Sequence, residues 1–338
     1  MGKYVTVTEI AKQLGLSHST VSRALSNNPR ISKATREKVQ ELAKELGYHP
    51  NSMAHQLSHG KSLIIGVIVP DLSVSFFSKI VECIQVIVQK EDYCILLFNT
   101  MESLEKEQQA IETCLKHRVD GVLAAITMQT KTFEHYERLI RYEVPLVFFD
   151  RVANFLSVPK VVANDHKSAY SATKYLIDSG CQCIAHITGS INLNNSNNRL
   201  YGYMNALEDH GIEINESLIH YYEFKPLSID GFLKKIIKKY PLDGLFVFND
   251  YVANYSINVL TKLGKKIPDD ISVFGFSDEP IATYMTPQLS SVGEVASKMG
   301  RLAAQKLISI IKQEEAMVNE KIVIDPGLVI RGTTRLKQ

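Results

Sequence analysis

Between residues 6 and 26, apolar positions recur at helical spacing in two short segments, TVTEIAKQLG and LSHSTVSRALS. Thr6 or Thr8 is suited to cap the first helix, and Ser17 to cap the second, because their hydroxyls can accept from free backbone N–H groups. Gly15 allows the left-handed turn between them. The exposed face of the second helix is small and polar. This pattern predicts a helix-turn-helix, which places its second helix in the major groove of DNA.

A third amphipathic segment, SKATREKVQELAKELGY, begins at Ser32 and has its apolar residues at three- and four-residue spacing. Gly47 is suited to end this helix. The next helical pattern, NSMAHQLSHG, is too short to form a stable helix alone. We therefore expect a small three-helix head followed by a conditional helix that connects it to the rest of the chain.

From residue 63 onward, short apolar runs alternate with longer segments of helical periodicity. This βαβ alternation predicts parallel sheets with helices on both faces, and two such sets imply two Rossmann-like lobes. Ligands bind at the carboxyl ends of such strands, so a cleft between the lobes is expected. The predicted strands are 63–69, 93–98, 121–125, 146–150, 184–188, 218–222, 244–248 and 271–276. The predicted helices are 75–89, 104–117, 133–142, 166–179, 198–210, 229–239 and 250–263.

Composition supports a globular protein of two or three units, since the 338 residues are 45% hydrophobic and 22% charged. The net charge of +2 by itself predicts no polyanionic partner. Its distribution is more informative: residues 1–62 hold nine Lys and Arg against four Glu, a net charge of +5, which leaves −3 for the remainder. A basic head on a slightly acidic body is typical of a phosphate-contacting module joined to a domain that does not bind DNA.

The five cysteines are scattered, and the C-x-C at Cys181 and Cys183 has no second pair, so neither a zinc site nor a cofactor is expected. There is no apolar stretch after Met1 that would indicate a signal peptide. No run approaches the roughly 18 apolar residues of a membrane span. We expect a cytoplasmic protein with reduced thiols.

The stretch from Thr6 to Asp71, which includes Y-x-P-N at residues 48–51, resembles the start of LacI-family transcription regulators of the lactose, galactose and purine repressor type. The resemblance implies a head over 1–50, a hinge over 51–61, and a periplasmic-binding-protein-like effector and dimerisation body over 62–338. The body would divide into lobe 1, about 62–162 plus 292–323, and lobe 2, about 163–291 plus 324–338. The chain would then cross between lobes near 162, 291 and 324.

For DNA, small polar residues at the start of the second helix suit base contacts, and Arg23 suits a base or the backbone. The resemblance implies that Leu57 is a hinge leucine that wedges into the minor groove. Ser26 and Ser52 depart from the residues usual at their positions. The candidate DNA contacts are Thr6, Ser17, His18, Ser19, Thr20, Ser22, Arg23, Arg30, Asn51, Ala54 and Leu57.

For an effector, candidates lie where predicted strands end. Arg199 in RLYGY and the Asn-Asp pair in FVFND match family motifs, and in GFSDEP a serine takes the place of the usual aspartate. An aromatic pair after the first strand can stack on a ligand ring. The candidate effector residues are Phe76, Phe77, Asp150, Arg199, Phe224, Asn249, Asp250 and Asp278.

These features predict a ligand-responsive repressor that binds a quasi-palindromic operator as a homodimer, since two heads read two half-sites. The chain has no heptad tail after RGTTRLKQ, so a dimer is expected rather than a tetramer. A sugar is the favoured effector, with a sugar phosphate or a purine as alternatives. A solute-binding protein would share the two-lobe body but not the head. An enzyme is not indicated, because no catalytic motif is present.

Overall fold

The computed structural model describes residues 5–48, 61–222 and 226–337. The chain divides into two compact units, Met1–Ser62 and Leu63–Gln338. Each unit has its own hydrophobic core.

The head is built from three short helices, α1 (Val7–Leu14), α2 (His18–Leu25) and α3 (Lys33–Glu45). Thr6 rather than Thr8 caps α1: its side chain accepts from the backbone N–H of Glu9, whose carboxylate accepts from the backbone N–H of Thr6. Gly15 ends α1 at φ 66°, a conformation that L side chains rarely adopt. The predicted helix-turn-helix is therefore confirmed. Its core consists of Ile10, Ala11, Val21, Ala24, Val39 and Ala43.

The body holds two six-stranded sheets. In the first, the strand order is β11-β5-β4-β3-β1-β2 and all pairs are parallel. In the second, the order is β12-β10-β9-β8-β6-β7, and only the β10–β12 pair is antiparallel. The strands are β1 (Ile64–Val69), β2 (Cys94–Asn99), β3 (Gly121–Ala124), β4 (Leu146–Phe149), β5 (Lys160–Ala163), β6 (Ile184–Thr188), β7 (Ile219–Tyr221), β8 (Gly244–Val247), β9 (Ser272–Phe276), β10 (Ser290–Val292), β11 (Lys321–Ile324) and β12 (Leu328–Val329).

Helices cover both faces of each sheet, as the apolar β-branched strands require. The predicted fold class, a helical head followed by a parallel α/β body of two lobes, is confirmed. The body helices are α4 (Ser75–Gln89), α5 (Leu104–Lys116), α6 (Glu134–Arg141), α7 (Asp165–Asp178), α8 (Asn194–Asp209), α9 (Pro226–Lys239), α10 (Asp250–Lys262), α11 (Ile281–Tyr284) and α12 (Ala296–Ile311).

The chain passes between the two lobes three times. It leaves the first sheet after β5, returns to pack α12 on that sheet after β10, and crosses again between β11 and β12. Each lobe is consequently made from separate stretches of sequence. Backbone hydrogen bonds from Asn164 to Ile324 and from Gly293 to Gly327 hold the three connections side by side.

Two helices begin earlier than the sequence pattern indicates. α8 begins at Asn194 rather than near residue 198, because the polar NNSNN run resembles a loop but makes hydrogen bonds that hold it in the helix. α9 begins at Pro226 rather than 229, and proline is well suited to the first turn of a helix. The described part of the chain contains no helix that is long and apolar enough to span a membrane.

A glycine in α8 marks the closest approach of two helices in lobe 2. A Cβ on Gly202 would collide with the backbone carbonyl oxygen of His166 and lie 2.9 Å from the backbone nitrogen of Tyr170, both on α7. Gly231 on α9 has no atom within 4 Å of the same position. These two helical glycines thus differ only in what surrounds them.

We predict that Gly202→Ala destabilises the body by about 1–3 kcal/mol, since α7 and α8 must move apart to accept the methyl group. Gly231→Ala is the matched control and should stabilise by about 0.5–1 kcal/mol, because alanine restricts the unfolded chain without a clash. Thermal melting of the full chain measures both. Equal melting temperatures for the two variants would contradict this packing.

Candidate functional site

The head presents the candidate DNA-contacting residues on one exposed helix and its flanks. His18, Ser22 and Arg23 are exposed on α2, and within the described residues their side chains form no hydrogen bond or ion pair. Ser17 caps α2, and its hydroxyl lies 3.0 Å from the Ser19 hydroxyl. The arrangement leaves the side chains of His18, Ser22 and Arg23 without internal partners among the described residues, while the Ser17 hydroxyl is engaged at the start of α2.

The remaining candidates of the head fall around this helix or outside the described residues. Thr6 and Arg30 are exposed, and Thr20 is half-buried, with its hydroxyl 2.8 Å from that of Ser17. Their roles in contacting phosphates stay predictions. The three predicted hinge contacts lie outside the described residues, namely Asn51, Ala54 and Leu57.

In the body, a cleft opens between the lobes at the carboxyl ends of the strands. The free volume between its walls is about 60 Å³, which is room for a few water molecules. The lining residues are Val74, Phe76, Phe77, Asp150, Arg151, Gly189, Ser190, Leu193, Asn195, Ser196, Arg199, Phe248, Asn249, Ser277 and Glu279.

Asp150 is the lobe 1 carboxylate of the cleft. It follows β4 directly with φ 56°, and it is 7% exposed. Asn195 of lobe 2 donates to its Oδ2 at 3.4 Å, and Nε of Arg151 lies 3.8 Å from the same oxygen. Burial raises the pKa of Asp150, and the two nearby arginines oppose the rise. A buried acceptor with few partners is suited to receive hydrogen bonds from a ligand.

Arg199 is the lobe 2 cation of the cleft. Its Nε donates to Oδ1 of Asp165 at 2.8 Å, and its Nη1 donates to the carbonyl oxygen of Phe248 at 2.6 Å. The guanidinium carbon lies 3.6 Å from the centre of the Phe276 ring. Burial raises the pKa of Asp165 to about 6 even beside this arginine. The guanidinium is fixed on three sides and retains N–H groups for a ligand hydroxyl or carbonyl.

Asn249 and Asp250 are adjacent in sequence but have different structural roles. Asn249 lines the cleft, and its side chain also caps α10 by accepting from the backbone N–H of Val252 at 2.8 Å. Asp250 is fully buried away from the lining. It accepts from the Ser291 hydroxyl and from the backbone N–H of Glu279, both at 2.7 Å. Asp250 therefore holds the loop after β9 in place rather than facing the cleft.

The loop after β9 carries the residues of GFSDEP. Asp278 does not line the cleft; its Oδ1 accepts from Nη1 of Arg331 at 2.6 Å. Ser277 and Glu279 line the cleft in its place. Ser277 has φ 100° and Asp278 has φ 45°, which are backbone conformations that residues other than glycine seldom adopt.

Polar side chains join the two lobes across the cleft. Nδ2 of Asn194 donates to the carbonyl oxygen of Val152 at 2.9 Å, beside the Asn195–Asp150 contact. At the opposite end, the Ser75 hydroxyl of lobe 1 donates to Oε2 of Glu279 of lobe 2. These contacts are few and polar, and each can be replaced by hydrogen bonds to water. They therefore permit the lobes to open and close.

The structure brings five of the eight candidate effector residues together at the cleft. Asp250 and Asp278 are not among them, since Ser291 and Arg331 hold them elsewhere, and Phe224 lies outside the described residues. The five that line it are Phe76, Phe77, Asp150, Arg199 and Asn249. The lining also contains polar residues that the sequence pattern did not indicate, namely Arg151, Ser190, Asn195, Ser196, Ser277 and Glu279. Several of these residues could have been identified from the sequence, because they are next to a residue that was chosen as an effector candidate.

We predict that Asp250 makes stability fall as pH rises. Burial raises its pKa to about 8, well above its value near 3.9 in the unfolded chain. The folded protein therefore holds a proton that the unfolded chain releases, and this stabilisation is present below about pH 4 and lost as pH rises to about 8. The Asp250→Asn variant cannot ionise at this position. Its melting temperature should therefore rise relative to that of the wild type as the pH increases from 5 to 8. A difference independent of pH would contradict the assignment.

Comparison with known proteins places both units. Residues 6–51 match the family model for bacterial regulatory proteins of the lacI family, and residues 173–334 match the periplasmic binding protein-like domain. The ribose operon repressor of Halalkalibacterium halodurans is 30% identical over 331 residues, which cover 98% of this chain and 97% of that repressor.

Two solved structures are similar over nearly the whole chain. The transcriptional regulator CelR–cellobiose complex has a TM-score of 0.73 at 25% identity, covering 97% of this chain and 99% of that one. The lac repressor dimer bound to operator and the anti-inducer ONPF has a TM-score of 0.87 at 23% identity, covering 98% and 99%, and shares the fold. The matches to the head, to the body and to a full-length relative agree, and the chain belongs to the LacI family of bacterial regulatory proteins.

Proposed function

We propose that this regulator is a repressor that binds a quasi-palindromic operator as a homodimer, with its operator affinity set by a small polar effector between the lobes. The observation that carries the proposal is the joining of an exposed DNA-reading helix to a two-lobe body with a polar cleft in one chain. A solute-binding protein would use the body but has no need for the head.

The cleft favours a sugar among the possible effectors. Its lining mixes carboxylate acceptors, guanidinium donors, and serine and asparagine groups that do both, which matches hydroxyls that donate and accept together. The rings of Phe76 and Phe77 lie at 5.4 Å centre to centre and add an apolar face. The relative that represses a ribose operon and the structure with cellobiose support the same class. A purine is the second candidate, since aromatic rings also stack on a heterocycle.

Coupling between the cleft and the DNA would run through the hinge segment at 51–61. A segment this short gains helical stability from contacts with a partner rather than from its own propensity. Closure of the lobes would alter whether two hinges of a dimer can meet at the operator, which is a two-state element biased by both sites. We propose a cytoplasmic regulator rather than an enzyme.

We predict that Arg23→Ala weakens operator binding at least about tenfold, because a base or phosphate contact is lost from both heads of a dimer. Lys44→Ala, an exposed lysine at the other end of the head in α3, is the control and should change affinity by less than about threefold. Fluorescence anisotropy with an operator selected from genomic fragments provides the measurement. Similar losses for both variants would indicate that general charge, and not α2, determines affinity.

We also predict a dimer at micromolar concentration without DNA, because two half-sites require two heads in a fixed relation. Light scattering of the full chain gives the mass directly. A monomer mass across this range would contradict the dimeric repressor.

A further inference from the structure

Glu279 is the one carboxylate in the lining of the cleft that no cation neutralises. Among the described residues it forms no ion pair, and its partners in lobe 1 are the Ser75 hydroxyl and the backbone N–H of Phe76. It is 7% exposed, and burial raises its pKa. Its backbone N–H is fixed by Asp250 at 2.7 Å, so the side chain is held at the wall of the cleft.

The two cations of the cleft are already matched by other carboxylates. Nη1 of Arg151 donates to Oε1 of Glu102 at 2.6 Å, and Arg199 is paired with Asp165 at 2.8 Å. Glu102 and Asp165 lie outside the lining, and Asp150 and Glu279 add two carboxylates within it, so that four carboxylates accompany two guanidinium groups. The closed cleft therefore carries an excess of negative charge in a poorly solvated place, where added negative charge is disfavoured.

The hydrogen-bonding capacity of Glu279 also disfavours anionic ligands. A carboxylate can accept about four hydrogen bonds, and the Ser75 hydroxyl and the Phe76 backbone N–H satisfy two of these positions on Glu279. A ligand hydroxyl or amino group can supply a further hydrogen. The oxygens of a phosphate or of a ligand carboxylate have none to give at neutral pH, so they would leave the acceptor unsatisfied and add repulsion.

We propose that Glu279 is a specificity residue of the effector cleft, which admits uncharged polyhydroxy effectors and excludes their phosphorylated and carboxylated derivatives. The proposal rests on the proposed function, because it presumes that the effector binds in this cleft. The proposal narrows the class of possible sugar effectors to uncharged sugars, because it excludes sugar phosphates and sugar acids. The contact with Ser75 places this selection in the closed state, when Glu279 is drawn against lobe 1.

The test compares matched ligands on the full-length protein. The probes are glucose, glucose 6-phosphate and glucuronate, ribose and ribose 5-phosphate, galactose and galacturonate, with adenine and hypoxanthine as uncharged purines. Thermal shift ranks them, and calorimetry gives Kd for each pair. The variant is Glu279→Gln, which keeps the size and an acceptor for Ser75. The control is Glu294→Gln, which removes the same charge from an exposed position in an adjacent cavity and not in the cleft.

We expect an uncharged sugar to bind the wild type at least tenfold more tightly than its anionic derivative. Glu279→Gln should reduce that ratio by about tenfold, and Glu294→Gln should leave it unchanged. An anionic sugar that binds the wild type as tightly as the uncharged one, or a ratio unaffected by Glu279→Gln, overturns the inference while the effector function stands. If no probe binds, or only purines bind, the sugar effector itself fails and the inference fails with it.

Discussion

The three passages of the chain between its two sheets are the constraint on which the rest of the body depends. They tie the lobes together along one side, so that relative motion is restricted largely to hinging. The strand ends of both sheets face the side that remains open. Residues that are distant in sequence, such as Phe77 and Arg199, consequently meet across one cleft. A ligand that contacts both lobes necessarily favours their closed arrangement, which gives the body two states that a small molecule can select.

The lobes are held together by a few polar contacts and by Leu193 of lobe 2, which packs in an apolar cluster of lobe 1. Asn194 reaches Val152 at one end of the cleft, and Ser75 reaches Glu279 at the other. Hydrogen bonds of this kind contribute about 0.5–1.5 kcal/mol each in net terms, so their sum is comparable with the differential affinity of an effector. Arg199 is buried, paired with Asp165 and stacked on Phe276. It therefore keeps a fixed position while the contacts between the lobes form and break. Contacts of this strength suit an equilibrium between two arrangements of the lobes rather than a permanently closed body.

The architecture could be predicted from the sequence because periodicity and capping residues report local structure. Ser17 and Gly15 indicated the turn of the head, and strand–helix alternation indicated the lobes. The cleft was predicted less completely, since its lining depends on tertiary contacts. Asp278 was chosen from its place after a strand, yet Arg331, more than fifty residues away, draws it aside and Glu279 faces the cleft instead. The asparagine run at 194–198 has the composition of a loop, but Asn194 and Asn195 find partners in lobe 1 and Asn197 binds the carbonyl oxygen of Ile191.

In the proposed repressor, one coupling free energy connects the effector cleft to the operator. Linkage requires that an effector which changes operator affinity by some factor has its own affinity changed by the same factor when operator is bound. Calorimetry of the effector against the full-length dimer, with and without saturating operator, measures this directly alongside anisotropy of the operator with and without the effector. The account predicts two equal factors of roughly 5–150. Effector binding that is unaltered by the operator, with operator affinity unaltered by the effector, would contradict it.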